Sequence, residues 1–261
     1  MHECPSCGLQ FWEPPPGFRP RQTYDASYFE DASSGHGYDD YASLECSLRR
    51  NFARRLAHLG RPAPGAWLLD VGAAYGFAVS EACRAGWRAV GLEVSAAAAR
   101  RAAVATGGCV ALADVSLAPF PAQAFDAVTM WDVIEHLRDP HRAIACVASL
   151  LRPAGRLVLT TGDAGSALAR LSGPRWHLYT IPEHLYFYTR RSLEMLLSAH
   201  GLRVEFIRAQ GSVYTLGYLA ERLRKTLLGR SGRGVPRWPG ANLEVPLNLF
   251  DVLTISAVRQ R

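Results

Sequence analysis

The stretch Leu68-Leu69-Asp70-Val71-Gly72-Ala73-Ala74-Tyr75-Gly76 decides how this chain is read. An apolar run ends in an acid, passes through a turn of small residues and enters Phe77-Ala78-Val79-Ser80-Glu81-Ala82-Cys83, which has the pattern of a helix. A second apolar run, Ala89-Val90-Gly91-Leu92, ends at Glu93, seventeen residues past Gly76. A strand–turn–helix–strand unit of this kind suits a nucleoside. Small residues let the backbone approach the ligand, and a carboxylate ending the second strand can accept hydrogen bonds from both ribose hydroxyls. A dinucleotide turn would read Gly-x-Gly-x-x-Gly. Here the last glycine comes one residue early and the middle position is Ala74. Asp70 would repel a pyrophosphate and suits a cationic or hydroxyl-bearing ligand instead.

Outward from this unit, strands and helices alternate. Apolar residues at Tyr41, Leu44, Leu48, Phe52, Leu56 and Leu59 mark a helix ending at Gly60. Ser95 caps an alanine-rich helix that stops at Gly107-Gly108, and Cys109–Leu112 forms a third strand leading to Asp114. Phe125–Met130 is a fourth strand. Asp139-Pro140 opens the next helix, which closes at Leu151–Gly155, and Arg156–Thr161 is the fifth strand. Thr189 caps a helix ending at Gly201, and Leu202–Ala209 and Phe250–Arg259 supply two more strands, expected as an antiparallel addition at one edge. Alternation of this kind predicts an α/β fold, a parallel sheet covered by helices on both faces.

At 261 residues the chain can bury a full core with appendages. No apolar run approaches the ~20 residues of a membrane span. The N-terminus lacks an apolar leader, and six scattered cysteines form no disulfide framework, which together predict a reducing, cytoplasmic setting. Cys46, Cys83, Cys109 and Cys146 read as buried small apolar residues. The net charge of +6 is concentrated: from Glu221 to Trp238, Arg222, Arg224, Lys225, Arg230, Arg233 and Arg237 face a single acid.

The glycine turn with its flanking acids resembles the first motif of class I S-adenosylmethionine (SAM)-dependent methyltransferases, with Ala74 in place of the usual second glycine. Three further stretches match in order: Asp114-Val115, then Phe125-Asp126-Ala127-Val128 with Glu135-His136-Leu137 and Asp139-Pro140, then Leu151-Arg152-Pro153-Ala154-Gly155-Arg156-Leu157. The fourth-strand motif is similar to that of the branch containing the ubiquinone-biosynthesis O-methyltransferases. This resemblance covers roughly residues 41–210 and 247–260. It implies a Rossmann-like seven-stranded sheet of order 3-2-1-4-5-7-6, with SAM held by Asp70, Gly72, Ala74, Gly76, Glu93, Asp114, Val115 and Trp131. The expected domains are an N-terminal extension and cofactor lid over 1–40 and a methyltransferase domain over 41–261. A basic helical insertion occupies 212–246.

Methyl transfer is a direct displacement, so orientation carries much of the rate and a proton must leave a hydroxyl or amine acceptor. If Trp131–His136 turns helically, Asp132, Glu135 and His136 share one face, a donor set hard enough for Mg²⁺ or Mn²⁺. The resemblance adds His184, within Pro182–Tyr188, to this metal set. It equally allows His136 or His184 to act as general base, and Glu135-His136 to shape a pocket without metal. Trp176, His177, Tyr179, Tyr186 and Tyr188 suggest an aromatic wall for a planar or sugar substrate, or simply loop packing.

Tyr24, Tyr28 and Phe29 resemble a lid over SAM, and Arg49 or Arg50 could meet its carboxylate. Cys4-Pro5-Ser6-Cys7 resembles half a zinc ribbon, a remnant without its other two ligands. Leu216, Leu219, Leu223 and Leu227 have helical spacing beside the basic residues. The 216–238 segment could meet an anionic membrane surface, placing the protein at the inner face of the membrane, or a phosphorylated substrate. It could also pack over the pocket with a solvated rim. The expected acceptor is a small molecule methylated on a hydroxyl oxygen (sugar, phenolic or lipid-linked), with C- or N-methylation open. An RNA 2′-O-methyltransferase is the contrasting class, but the chain has one basic patch and no RNA module, which argues against a nucleic-acid partner. A non-catalytic SAM-binding partner protein is a third, disfavoured by the intact charged residues after the fourth strand.

Overall fold

Cysteine and proline punctuation dictates the start of the chain. In the computed structural model, which describes residues 1–14, 41–228 and 238–260, β1 (His2–Glu3) and β2 (Gln10–Phe11) pair across the Cys4–Cys7 turn. The apolar stripe of residues 41–59 builds α1 (Glu45–Leu56), burying Phe52 and Leu56. There follow β3 (Trp67–Val71), α2 (Phe77–Arg84), β4 (Arg88–Glu93), α3 (Ala96–Thr106) and β5 (Val110–Leu112). Next come β6 (Phe125–Trp131), α4 (Pro140–Leu150), β7 (Leu151–Gly162), α5 (Ala167–Ser172) and β8 (Tyr186–Phe187). The chain closes with α6 (Arg190–Ser198), β9 (Leu202–Ala209), β10 (Ser212–Thr215), α7 (Leu216–Leu228), β11 (Glu244–Leu247) and β12 (Val252–Arg259).

The main sheet has the order β5-β4-β3-β6-β7-β12-β9, which in strand sequence is the expected 3-2-1-4-5-7-6. Strands covered on both faces need apolar residues throughout, and Leu68, Leu69, Val128, Met130, Val158 and Leu159 are fully buried. The helix boundaries follow local chemistry. Ser95, Asp139 and Thr189 each accept a backbone N–H from the first turn, and Thr189 forms a reciprocal box with Ser192.

Three expectations are corrected. Only β12 is reversed: it is antiparallel to both β7 and β9, so β9, reached through α6, runs with the parallel strands. β7 begins at Leu151, because Leu151 already pairs with Phe125 before a register shift. Cys46 and Cys83 are exposed, on the outer sides of α1 and α2, and Cys109 and Cys146 are half-buried, Cys109 just ahead of β5 against the core. The lid residues Tyr24, Tyr28 and Phe29 lie outside the described residues. The first fourteen residues instead dock on the aromatic loop. β2 pairs with β8, Tyr179 donates its hydroxyl to Gln10 Oε1, and Thr189 Oγ1 donates to the Cys7 carbonyl.

The insertion is a β10–β11 ribbon with α7 between its strands. Asn51 of α1 donates to the Val213 carbonyl (3.0 Å) and accepts from the Val213 N–H (2.7 Å), which ties the ribbon to the first helix.

Candidate active site

The carboxyl ends of β3, β4 and β6 open into one cavity of about 1190 Å³. Gly72 begins its floor at φ +75°, and a Cβ there would stand 2.5 Å from Val133 Cγ2, so only glycine fits. Ala74 also takes a positive φ of 46°, and its N–H donates to Glu93 Oε2 at 2.8 Å. Gly76 is left-handed too, but it does not line the cavity. Its bare Cα lets α3 approach, since a Cβ would lie 2.7 Å from Thr106 Cγ2.

Glu93 is buried and accepts a second N–H, from Ser95, at 2.7 Å. Burial raises its pKa against the pull of these donors. Asp70 is deeper still. Oδ1 accepts from Thr129 Oγ1 at 2.6 Å, while the buried Oδ2 has no hydrogen-bond partner among the described residues. Burial, with the Glu93 charge nearby and against the Thr129 hydrogen bond, lifts its pKa to about 7. A buried carboxylate oxygen without a donor, beside a cavity, fits a cationic ligand. Asp114 caps the turn over Val115–Leu117 by accepting from Ser116 N–H at 2.8 Å, and Asp114, Val115 and Trp131 all line the cavity.

Further along the same cavity, Glu135, His136 and His184 offer ligand atoms all within 4.8 Å of one another. A short 3₁₀ turn, Ile134–His136, sets the first two, and the loop before β8 brings the third. His136 Nδ1 lies 2.8 Å from the Glu183 carbonyl, and His184 Nδ1 lies 2.9 Å from the Leu178 carbonyl. A carbonyl only accepts, so each Nδ1 carries the hydrogen and each Nε2 the lone pair. This is the tautomer a metal-binding imidazole adopts. Burial lowers the His136 pKa and keeps the ring neutral. Glu135 is buried, its Oε2 has no hydrogen-bond partner among the described residues, and burial with the Asp132 charge lifts its pKa to about 8.

Asp132 does not join this cluster. The expected helical turn is absent there: Asp132 takes φ +54°, and its carboxylate accepts from Thr160 Oγ1 at 2.8 Å and faces Arg55 at 3.6 Å. The metal set drawn from the sequence therefore loses one member. Arg49 and Arg50 are likewise elsewhere. Arg49 pairs with Glu45 and Glu81, and Arg50 with Glu244. Arg55, Arg138 and Arg142 line the cavity, and of these Arg55 is buried; it donates to Ser212 Oγ at 3.1 Å and stacks over Trp131 at 5.9 Å. Sequence reading missed it because its position on the apolar stripe of α1, next to Leu56, carries no charge signal.

Tyr214 and Tyr218 of the insertion stack in parallel (5.5 Å, 8°) and line the cavity with Leu219 and Leu223. Of the basic window, Arg224 is paired with Glu221 at 2.9 Å, and Arg230, Arg233 and Arg237 lie outside the described residues. Cys4 and Cys7 sit on the β1–β2 turn and belong to no metal-competent cluster among the described residues.

Residues 41–206 match the family of the methyltransferase domain. Among curated relatives, a ubiquinone biosynthesis O-methyltransferase of Ralstonia nicotianae is 26% identical over 49% of this chain and 58% of its own length. Its counterpart from Cronobacter sakazakii is 29% identical over 52% and 60%. The matched stretch thus spans three fifths or less of these relatives. Among solved structures, a Bacillus halodurans protein assigned as a methyltransferase superposes with a TM-score of 0.59 at 12% identity, over 80% of this chain and 99% of that one. A Haemonchus contortus phosphoethanolamine N-methyltransferase, solved with phosphomonomethylethanolamine and S-adenosylhomocysteine, gives 0.53 at 17%, over 81% and 53%. Identities this low establish a shared fold rather than a shared acceptor. With the sheet order, the glycine turn and the family match over most of its length, the chain belongs to the class I SAM-dependent methyltransferases.

Proposed function

We propose that this protein transfers a methyl group from SAM to a hydroxyl oxygen of a small-molecule acceptor held beside Glu135, His136 and His184. The observation that carries this reading is the continuity of one cavity from Asp70 and Glu93 to that trio. At the cofactor end, the turn backbone and Glu93 suit a ribose, Asp114 and Val115 an adenine, and the orphan Asp70 oxygen a positive charge. Arg55 is the buried cation available to a carboxylate. At the other end, the donor set fits Mg²⁺ or Mn²⁺: a carboxylate oxygen without a hydrogen-bond partner among the described residues and two imidazoles fixed with Nε2 as the lone-pair atom. A cation bound there would supply electron withdrawal from an acceptor hydroxyl, lowering its pKa. The residues themselves orient the acceptor, and the aromatic walls Trp131, Tyr214 and Tyr218 exclude water from the reacting centre.

Arg55, Arg138 and Arg142 line the same cavity as Glu183 and Glu221, so a phosphorylated acceptor has cations to meet there as well as acids. Contact with an anionic membrane is supported by the exposed Leu223, Leu249 and Phe250 and by the arginines of the 222–237 segment. No helix among the described residues is long and apolar enough to cross a membrane. The reading is tested with methyl-labelled SAM and two probe acceptors, catechol and histamine, with Mg²⁺ or Mn²⁺ and with chelator. Label on catechol that chelator removes supports it; label on histamine alone overturns the hydroxyl assignment.

A further inference from the structure

Outside the trio, one more histidine on the cavity wall is held by a buried acid. Asp251, just before β12, is almost fully buried. Its Oδ2 accepts the indole N–H of Trp176 at 2.9 Å and faces Nδ1 of His177 at 3.6 Å. The position is over-determined. The Asp251 carbonyl accepts the Asp163 N–H at 2.8 Å, Trp176 is buried, and a Cβ on Gly162 would meet Leu178 and Trp176 at 2.8 and 3.1 Å. His177 itself lines the cavity that also holds the trio, with Nδ1 toward the acid and its side chain 36% exposed. Charged groups on the neighbouring segments are Asp163, whose N–H meets the Asp251 carbonyl and which pairs with Arg190 at 3.4 Å, and Arg175, two residues before His177; Glu183 and His184 line the same cavity.

We propose that His177, oriented by Asp251, is the catalytic base of this enzyme, a role resting on the methyltransferase reading above. A carboxylate facing Nδ1 at 3.6 Å favours the hydrogen on that nitrogen through its charge, leaving the lone pair on Nε2, and it stabilises the imidazolium once formed. Nε2 takes the proton of the acceptor O–H as the oxygen lone pair forms the bond to the methyl carbon. The carbon–sulfur bond breaks and its electron pair returns to sulfur, leaving a neutral thioether. The imidazolium then loses its proton to water through the exposed part of the ring. His136 and His184 are ligands in this scheme, with their Nδ1 atoms spent on carbonyls, so the two tasks fall to different imidazoles.

The test has two arms. In protein labelled with ¹⁵N-histidine at pH 8, His177 should be the Nδ1–H tautomer in the wild type and lose that preference in Asp251→Asn. A wild-type Nε2–H tautomer at His177 overturns the proposal without any acceptor being known. In the second arm, methyl transfer to catechol and to histamine is compared between the wild type and His177→Gln at saturating SAM and Mg²⁺. The variant should lose about 100-fold or more in kcat on whichever probe the wild type labels. It should also lose the rise of rate with pH near neutrality, while its affinity for S-adenosylhomocysteine is unchanged. Wild-type rate and pH profile in His177→Gln overturn the base assignment. Label appearing on histamine alone overturns the hydroxyl reading instead, and the His177→Gln comparison on that amine still decides the dyad.

Discussion

Glu93 carries two burdens that a single substitution separates. Its carboxylate accepts the N–H groups of Ala74 and Ser95 at 2.8 and 2.7 Å, and it ends the strand where a ribose would lie. Glu93→Ala leaves both N–H groups without that acceptor. A hydrogen bond to a charged group is worth ~1.5–3 kcal/mol. The adjoining cavity lets water reach the vacated space, so the sum should fall toward the lower end, about 2–4 kcal/mol. At about 2–4 °C per kcal/mol for a chain of this size, the melting temperature should drop by roughly 5–15 °C. Loss of the ribose contact should add a separate weakening of roughly 2–3 kcal/mol in cofactor affinity, about 30- to 150-fold. Calorimetry with S-adenosylhomocysteine at 15 °C, where circular dichroism shows the variant folded, measures the second quantity and thermal unfolding the first. Glu93→Gln retains one accepting oxygen and turns its NH₂ against a backbone donor, so it should be intermediate in both. A folded Glu93→Ala protein with wild-type affinity would refute the ribose assignment. An unchanged melting temperature would refute the role in the turn.

Binding of Mn²⁺ at pH 7 should release about one proton, because Glu135 titrates near 8 in the empty site and must be ionised as a ligand; calorimetry in buffers of different ionisation enthalpy counts it. No proton release would remove Glu135 from the ligand set. The raised values of Glu135 (about 8) and Asp70 (about 7) mean that the folded protein keeps protons which the unfolded chain, titrating near ~4, has lost. Their contribution to stability is therefore greatest below pH 4 and declines as pH rises to about 8. Urea midpoints between pH 5.5 and 8.5 should fall less steeply in Glu135→Gln than in the wild type, and equal slopes would contradict the buried neutral acid. Asn51→Ala removes both hydrogen bonds to Val213 and should cost about 2 kcal/mol in urea unfolding while raising the acceptor KM more than that for SAM. Equal stability would show that the insertion is held by other contacts.

The sheet was legible because its information is local. An apolar run with an acid at its end, a turn of small residues and a capped helix recur, and each is decided within ten residues or so. The same locality made Gly72 and Glu93 readable, since a left-handed glycine and a strand-ending acid are signals of the chain itself. It also explains the error at β9. A strand's direction depends on which neighbour it meets, and β12 enters between β7 and β9 from the far end of the chain. Cys46 and Cys83 differ from expectation for a related reason: burial of a small residue depends on which side of its helix faces the core.

The cluster at Glu135, His136 and His184 was less legible because it is assembled across long sequence separations. Spacing alone put Asp132 on a common face with Glu135 and His136, which presumes that the chain turns helically directly after β6. It does not. Asp132 N–H is drawn to the carbonyl and hydroxyl of Thr160 on β7, its carboxylate is answered by the same hydroxyl and by Arg55 from α1, and the residue adopts φ +54° to satisfy them. Only from Ile134 does a short helical turn begin, so Glu135 and His136 project toward His184 without Asp132. Arg55 in turn is placed by Ser212 of the insertion, one residue from the Asn51–Val213 clasp. The α1 face, the end of β7 and the inserted ribbon thus hold one another in place along one wall of the cavity. The insertion therefore shapes the cavity twice, through the residues it contributes to the wall and through Arg55, which it holds in place.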